Sequence, residues 1–404
     1  MKIAVLHTAG NAGFFPRYYN SFYKIAMEYG DEMSLFCPNS GVNIRNPLPN
    51  QVIWGTRFNW FFHYKLYRLT GLQDIFSVFE TISLIVKLKN YSPDIIHLNI
   101  VNVWNLNIPL LVRYINKNKI PVVWTMHDCR AFTGFCPFFD EIGCVKWQTG
   151  CGNCPKPVQY RPTFIDNTHL QWKIRRKFLT SIKKMIIVTP SNWLAGLVSM
   201  SFLGKYPIKT IYNGVDLNVF SKSFNYDLVR KYNLFGKKVV LGCAVIWTAR
   251  KGLDHFMKLS SLLPCNYQIV IVGTARIEDQ ELLRQFGILY IGKTSSIEEL
   301  VSWYKTAMVF CNPTIADNFP TTNIEALASG TPVVTYNTGG SPEAINDKTG
   351  VVVEKNNIQA LRDAVVKIVE SRDVNTTEAC IEMSRNFSPD QYRLYFELFQ
   401  SLLE

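Results

Sequence analysis

Short apolar runs alternate with segments of helical period along most of the chain, and this alternation constrains the fold more than any other feature. It is the pattern of parallel α/β sheets covered by helices on both faces. In the first half the runs predict strands over 3–7, 33–37, 94–98, 121–127 and 185–189, with helical segments over 18–29, 74–90, 106–118 and 169–184. The second half repeats the rhythm, with strands over 239–244, 268–273, 288–291, 308–312 and 333–336, each followed by a helical pattern.

A single hydrophobic core stops growing near about 250–300 residues, and this chain has 404. Two Rossmann-like domains are therefore expected. The segment IYNGVDLNVF at 211–220 lies between the two series and holds the turn dipeptide Asn213-Gly214, which places the boundary there: 1–212 and 213–388. The final stretch, 389–404, starts at Pro389 and spaces Tyr392, Tyr395, Phe396 and Phe399 on one face of a helix.

Composition excludes some classes. With 48% hydrophobic and 18% charged residues the chain is globular rather than disordered. Its apolar runs, such as 82–88, fall short of the roughly 18 residues a membrane-spanning helix needs. The start, MKIAVLHTAG, reads as a first strand and not as a signal peptide. A cytoplasmic location is expected, and with it a reducing environment for the ten cysteines. The net charge of +12 should attract phosphates on a nucleotide, a nucleic acid or an anionic lipid, without choosing among them.

In open α/β sheets ligands bind beyond the carboxyl ends of the strands, so the loops after strands are the ones to search. In WTARKGLDHF, Arg250 and Lys251 stand between a strand and a helix. Cations beside free helix amides suit a diphosphate, although the pair alone fits a solvated surface equally well. In PTIADNFPTTNIEALASGTPVV, Asp317 stands eight positions before Glu325, with Phe319, Pro320, Thr321 and Thr322 at the start of a helix. Amides there could meet phosphate oxygens, Glu325 could accept from a ribose diol, and Asp317 could reach a sugar hydroxyl. The plainer account is a helix capped by Thr321 or Thr322 with a surface acid. His127, after an apolar strand, points to a crevice position, and His97 ends DIIHLNI in a similar way. The loop Gly10-Asn11-Ala12-Gly13 follows the first strand but lacks the dinucleotide-binding glycine fingerprint.

Asp-x7-Glu followed by Ala-Leu-Ala-Ser-Gly-Thr-Pro-Val-Val resembles the acidic signature of family 4 retaining glycosyltransferases. The resemblance extends to Gly10–Gly13, His127-Asp128, Asn213-Gly214-Val215-Asp216, Arg250-Lys251-Gly252 and Gly339-Gly340 with Glu343. It implies the GT-B fold: an N-terminal acceptor-binding domain and a C-terminal nucleotide-sugar-binding domain facing across a cleft, with the last helix returning to the first domain. It further implies that Glu325 holds the nucleotide ribose, Lys251 the diphosphate, and the Phe319, Pro320, Thr321 and Thr322 segment cradles phosphate and sugar. Asp317, where the family usually has Glu, would contact the donor sugar. His127 would face that sugar or the leaving phosphate, and the Gly13 backbone would approach the phosphate. Ile246 occupies the family's usual arginine position, a charge that Arg250 could replace.

The implied reaction is transfer of a hexose-type sugar from a UDP- or GDP-sugar to a glycan or lipid-linked acceptor of an envelope, capsular or exopolysaccharide pathway, with retention of configuration. No Asp-x-Asp metal motif occurs, so no cofactor is expected for catalysis. Competing readings are a nucleotide-sugar epimerase of the same fold and a nucleic-acid-binding protein. The latter leaves Asp317 and Glu325 unexplained, so no nucleic-acid partner is expected.

Cys136, Cys144, Cys151 and Cys154 follow a C-x7-C-x6-C-x2-C pattern inside a cysteine-rich insertion at 129–155. Four soft ligands at this spacing could close a structural zinc site; reduced, partly buried thiols are the other reading, and spacing does not choose. Some sugar transferases of capsule and exopolysaccharide clusters look similar in this region. In WKIRRKFLTSIKKM, at 172–185, Ile174, Phe178 and Ile182 mark one helical face among Lys173, Arg176, Lys177, Lys183 and Lys184. Such a helix packs on its sheet or lies on an anionic membrane surface, where peripheral contact with the inner membrane face is expected.

Overall fold

The computed structural model describes residues 1–8, 13–101, 105–155, 163–222 and 227–404. The chain divides into two compact units, Met1–Tyr212 with Asp390–Glu404, and Asn213–Pro389.

The first unit is built on seven strands: β1 (Lys2–Leu6), β2 (Glu32–Pro38), β3 (Gln51–Trp54), β4 (Ile95–Leu98), β5 (Val122–Thr125), β6 (Met185–Thr189) and β7 (Ile208–Thr210). All are parallel, in the order β3-β2-β1-β4-β5-β6-β7. The central strands β4, β5 and β6 are buried along their whole length, which is why they read as unbroken apolar runs. The edge strands β3 and β7 are short and half-exposed, and the sequence pattern does not flag them.

The helix Arg393–Leu403 belongs to this unit although it ends the chain. It buries Tyr395, Phe396, Phe399 and Leu402 against the helix Phe15–Glu28, whose Phe22 ring lies 5.2 Å from Tyr395 and 5.1 Å from Phe396. Each such side chain stabilises the fold by about 1.5–3 kcal/mol. His97 sits in the same layer, within β4 and fully buried, its Nε2 2.8 Å from Thr125 Oγ1 and its ring among Phe22, Tyr395 and Phe399. It is a core histidine and not a crevice residue, because a side chain within β4 faces the helix layer instead of the strand end.

The expected helix over 169–184 is shorter and turned differently. It spans Thr168–Leu179 and buries Gln171, Trp172, Arg175 and Leu179, while Ile174 and Phe178 are only half-buried and Ile182 is buried beyond the helix end. The apolar stripe misled because an arginine, with buried partners, takes the inward position. Lys173, Arg176, Lys177, Lys183 and Lys184 are exposed, as expected.

The second unit holds β8 (Lys238–Ile246), β9 (Tyr267–Thr274), β10 (Leu289–Gly292), β11 (Val309–Asn312), β12 (Val333–Tyr336) and β13 (Gly350–Val353). Their order is β10-β9-β8-β11-β12-β13, again all parallel. In each sheet the winding direction reverses once, between β1 and β4 in the first and between β8 and β11 in the second. Such reversals open a crevice at the carboxyl strand ends.

Candidate functional site

The reversal point of the second sheet gathers most of the predicted site residues. After β8 the chain makes a tight turn, Ala249–Lys251, that is stitched to the loop after β11: Ile315 N donates to Arg250 O at 2.9 Å and Thr314 Oγ1 to the same oxygen at 3.2 Å. Gly252 closes this turn at φ +76°, and a Cβ there would lie 2.2 Å from Pro313 O, so only glycine fits. The result places both cations against one acid. Lys251 Nζ pairs directly with Asp317 Oδ2, and Arg250 Nη1 stands 3.6 Å from the same oxygen while donating to Ala316 O. Burial alone would raise the Asp317 pKa, but Lys251 and Arg250 outweigh it and hold the carboxyl below its ordinary value. Ile246, at the end of β8, is 61% exposed and brings no charge to this turn, which carries Arg250 and Lys251.

Immediately beyond Asp317 the helix Thr321–Ala328 begins. Its N-cap is Pro320, and no side chain caps it, so neither Thr321 nor Thr322 takes the capping role that the plainer sequence account required. Phe319 and Pro320 are buried and both threonines are partly exposed. The amides of the first turn, a few residues after Asp317, thus have no side-chain cap and stand at the positive end of the helix dipole.

One turn inward, Glu325 is nearly buried and accepts a hydrogen bond from Tyr304 Oη at 2.9 Å. Burial, with Cys243 and Glu325 nearby, pushes the Tyr304 pKa well up, so the phenol stays protonated and donates. A polar network beneath the loop fixes it to the next strand end. Asn312 Nδ2 donates to Asn323 Oδ1 at 2.8 Å, Asn323 Nδ2 donates to Ser341 Oγ at 2.9 Å, and Ser341 Oγ lies 2.8 Å from Thr335 Oγ1. Gly340 N donates to Asn318 O at 2.7 Å, and Gly339, at φ +57°, lets the two backbones meet where a Cβ would be 1.7 Å from Asp317 O. Tyr304, Asn323 and Ser341 were missed from sequence. Nothing in their local pattern separates them from ordinary helix and turn residues.

At the reversal point of the first sheet, Thr8 N and Oγ1 both donate to Ile100 O at 2.7 Å, and Asn105 Nδ2 donates to Thr8 O at 3.1 Å. His127, just past β5, places Nε2 3.1 Å from Asn99 Oδ1. Burial lowers its pKa to about 4, with Asp128 opposing, so the ring is neutral at pH 7. Gly13 leads into the helix Phe15–Glu28 at φ +65° with open space around it. Gly10, Asn11 and Ala12 lie outside the described residues.

Cys136, Cys144, Cys151 and Cys154 are half-buried and line one small pocket together with Phe139 and Trp147. Cys151 Sγ accepts from Gly134 N at 3.2 Å, and burial pushes its thiol up to about 11. None of the ten cysteines is joined in a disulfide. Among the described residues no group of three or more His, Cys, Asp or Glu side chains could hold a metal ion.

Other residues order this insertion. Arg175, 1% exposed, pairs with Asp74 at 2.7 Å and 3.1 Å and donates to the carbonyls of Thr133 at 3.0 Å and Gly134 at 3.3 Å. Trp147 stacks on Phe139 with centroids 4.8 Å apart.

The sequence pattern of the family Glycosyl transferases group 1 matches residues 227–387, a span that contains Arg250, Lys251, Asp317 and Glu325. This chain carries a glycosyl transferases group 1 domain. As a glycosyltransferase it is 26% identical over 314 residues to the putative colanic acid biosynthesis glycosyl transferase WcaC of Escherichia coli K12, covering 73% of this chain and 72% of that protein. It is 25% identical over 257 residues to the lipopolysaccharide core biosynthesis mannosyltransferase LpsB of Rhizobium meliloti, covering 58% and 70%. Among solved structures, a glycosyltransferase from Rickettsia africae aligns over 100% of this chain and 98% of its own, with a TM-score of 0.69 at 18% identity. Anabaena Alr3699/HepE, solved in complex with UDP, aligns over 99% and 100% with a TM-score of 0.70 at 14% identity. At these identities the structural likeness establishes the GT-B fold of the glycosyltransferase.

Proposed function

We propose that this glycosyltransferase moves a hexose-type sugar from a UDP- or GDP-sugar to a lipid-linked or polysaccharide acceptor in envelope, capsular or exopolysaccharide biosynthesis, with retention of configuration. One observation carries the reading: at the reversal point of the second sheet, two cations share one carboxylate beside an uncapped helix start. That arrangement keeps a net positive charge, which the helix dipole increases, and it suits a diphosphate both on binding and as a leaving group.

The geometry supports the following roles. Lys251 and Arg250 take the pyrophosphate oxygens, with the Phe319-to-Thr322 backbone completing the cradle. Asp317, released in part from the cations, accepts from a sugar hydroxyl. Glu325, oriented by Tyr304, accepts from the ribose. His127, neutral at physiological pH, contributes a hydrogen bond to the donor sugar rather than a charge. The names of the two relatives, which act in colanic acid and lipopolysaccharide core biosynthesis, support an envelope glycan as the acceptor, and the UDP bound to the Anabaena protein supports a uridine donor.

Isothermal titration of the full chain with UDP, GDP and ADP, followed by the matching nucleotide sugars, tests this. Saturable binding of UDP or GDP that is lost in Lys251→Ala is expected; absence of binding to any nucleoside diphosphate would reject the site. Proton NMR of the anomeric signal of the first-formed product decides retention, and release of free sugar without an acceptor would favour the epimerase.

A further inference from the structure

Many of the protein's large exposed apolar side chains concentrate on one part of the first unit. The helix Asn59–Thr70 buries only His63 and Tyr67. Its opposite face carries Phe61, Phe62 and Leu69, continued by Phe58 just before the helix, with Phe58 76% and Phe62 62% exposed. The next helix, Val78–Tyr91, adds an outward stripe of Phe79, Ile82 and Val86, with Phe79 82% exposed. The two helices meet where Asn59 Nδ2 donates to Ser77 Oγ at 2.8 Å. At the far end Phe164 N donates to Arg68 O at 2.9 Å, which brings the exposed Phe164 ring beside the same helix. Soluble surfaces rarely expose contiguous apolar area on this scale unless something covers it.

Charge selects the cover. From Arg57 to Gln73 there is no Asp or Glu, while Arg57, Lys65 and Arg68 lie among the apolar side chains. Lys65 sits over the Phe61 ring at 4.2 Å and Arg68 over Phe164 at 5.2 Å. A second copy of the same surface would set these cations against each other, which disfavours self-association. Trp60 and Tyr64, stacked at 5.6 Å, are the amphipathic aromatics that settle at a bilayer interface. Neighbouring cations extend the field. The helix Thr168–Leu179 is tied to the end of this segment by Gln73 N donating to Gln171 Oε1 at 2.7 Å and Asn167 Nδ2 to Thr70 O at 2.7 Å, and it exposes Lys173, Arg176 and Lys177.

We infer that the outward face of Asn59–Thr70, with the Val78–Tyr91 stripe, docks the protein on an anionic lipid bilayer. The aromatic side chains insert at the headgroup level, and the cations of both basic segments meet lipid phosphates. The inference deepens the proposed function, resting on its lipid-linked acceptor, because such an acceptor has to be met at the bilayer.

Cosedimentation of the full chain with phosphatidylcholine vesicles, with and without phosphatidylglycerol, tests the docking. Salt-sensitive binding is expected only with phosphatidylglycerol. The triple variant Phe58→Ser/Phe61→Ser/Phe62→Ser should bind at least about tenfold more weakly with its melting temperature kept, and Lys65→Glu about fivefold or more. Failure of the unaltered protein to bind these vesicles, or equal binding by the triple variant, overturns the inference. So does a wild-type dimer that the triple substitution converts to monomer without any vesicle binding. UDP titration of the same variants separates the two proposals: lost vesicle binding with intact UDP affinity isolates the docking face, whereas vesicle binding without nucleotide affinity in the unaltered protein rejects the donor site alone.

Discussion

Where the first sheet reverses its winding, the strand ends present Thr8, Asn99 and His127, hydrogen-bonding groups without net charge, and the nearby Asp128 is turned to the Arg130 amide at 2.8 Å. At the corresponding place in the second sheet stand Lys251, Arg250 and Asp317, with a helix start that has no side-chain cap. Two sheets wound in the same way thus present different chemistry, uncharged hydrogen-bonding groups at one and two cations sharing a carboxylate at the other. The first unit does bury a charge, but it uses it structurally: the Arg175–Asp74 pair lies under the cysteine-rich insertion. The difference teaches that the fold supplies only the crevice, while the loops after each strand decide what can enter it.

The largest test of that contrast is Arg175→Ala. Leaving Asp74 buried and unpaired should cost the first unit about 3–5 kcal/mol, read as a lower urea midpoint and faster proteolysis within 129–155. An unchanged midpoint would mean that the pair is not structural.

Acid should then separate the two units. Burial lowers His63 and His127 to about 4 and His97 to about 3, so all three are neutral in the native state at pH 7. Unfolded histidine takes up its proton near pH 6.5. The stability of the first unit is therefore full above about pH 6.5 and falls, on the order of a few kcal/mol, as pH drops towards 4. The second unit holds one histidine lowered by burial, His255, against these three, and Asp317 works lower on the scale: its depressed pKa contributes stability above the ordinary carboxyl value and loses it only below. Hydrogen exchange followed peptide by peptide should show the first unit loosening first, and the reverse order would break the contrast.

Lys251→Ala should weaken UDP or GDP binding by about 10–100-fold, the worth of a charge-assisted hydrogen bond, with His127→Ala leaving it within about twofold. Equal losses would place nucleotide recognition on both units. The smallest effect expected is Tyr304→Phe, which removes one orienting bond from Glu325 and should cost about 0.5–1.5 kcal/mol of nucleotide affinity. Calorimetry with a uridine series lacking ribose hydroxyls would show whether that loss acts through the ribose.

Much of the fold is legible in the sequence. The central strands announced themselves because burial on both faces demands continuous Val and Ile runs, as in β5 and β6. The edge strands β3 and β7 did not, since half-exposed three- and four-residue strands need no such run. In the site, Arg250, Lys251, Asp317 and Glu325 stood out as charges next to strand ends and a helix start. The helix Thr168–Leu179 was oriented wrongly because periodicity counts Ile174 and Phe178 as inward and cannot know that Arg175 finds Asp74 across 101 positions of chain.

Local pattern, then, determined the alternation of strand and helix, the terminal amphipathic helix and the charged loops, because each depends on neighbours within one or two turns. Only the tertiary structure decided that Lys251, from 66 positions away, and Arg250 meet Asp317, that Tyr304 turns to Glu325, and that His97 is fully enclosed while His127 is partly buried. It also decided that Phe58, Phe61, Phe62 and Leu69 stand exposed on one face of Asn59–Thr70 and its approach. The physical reason is common to all of these: partners are chosen by which strand ends and helix faces the sheet order brings together, and that order is a property of the packed core rather than of any short stretch of sequence.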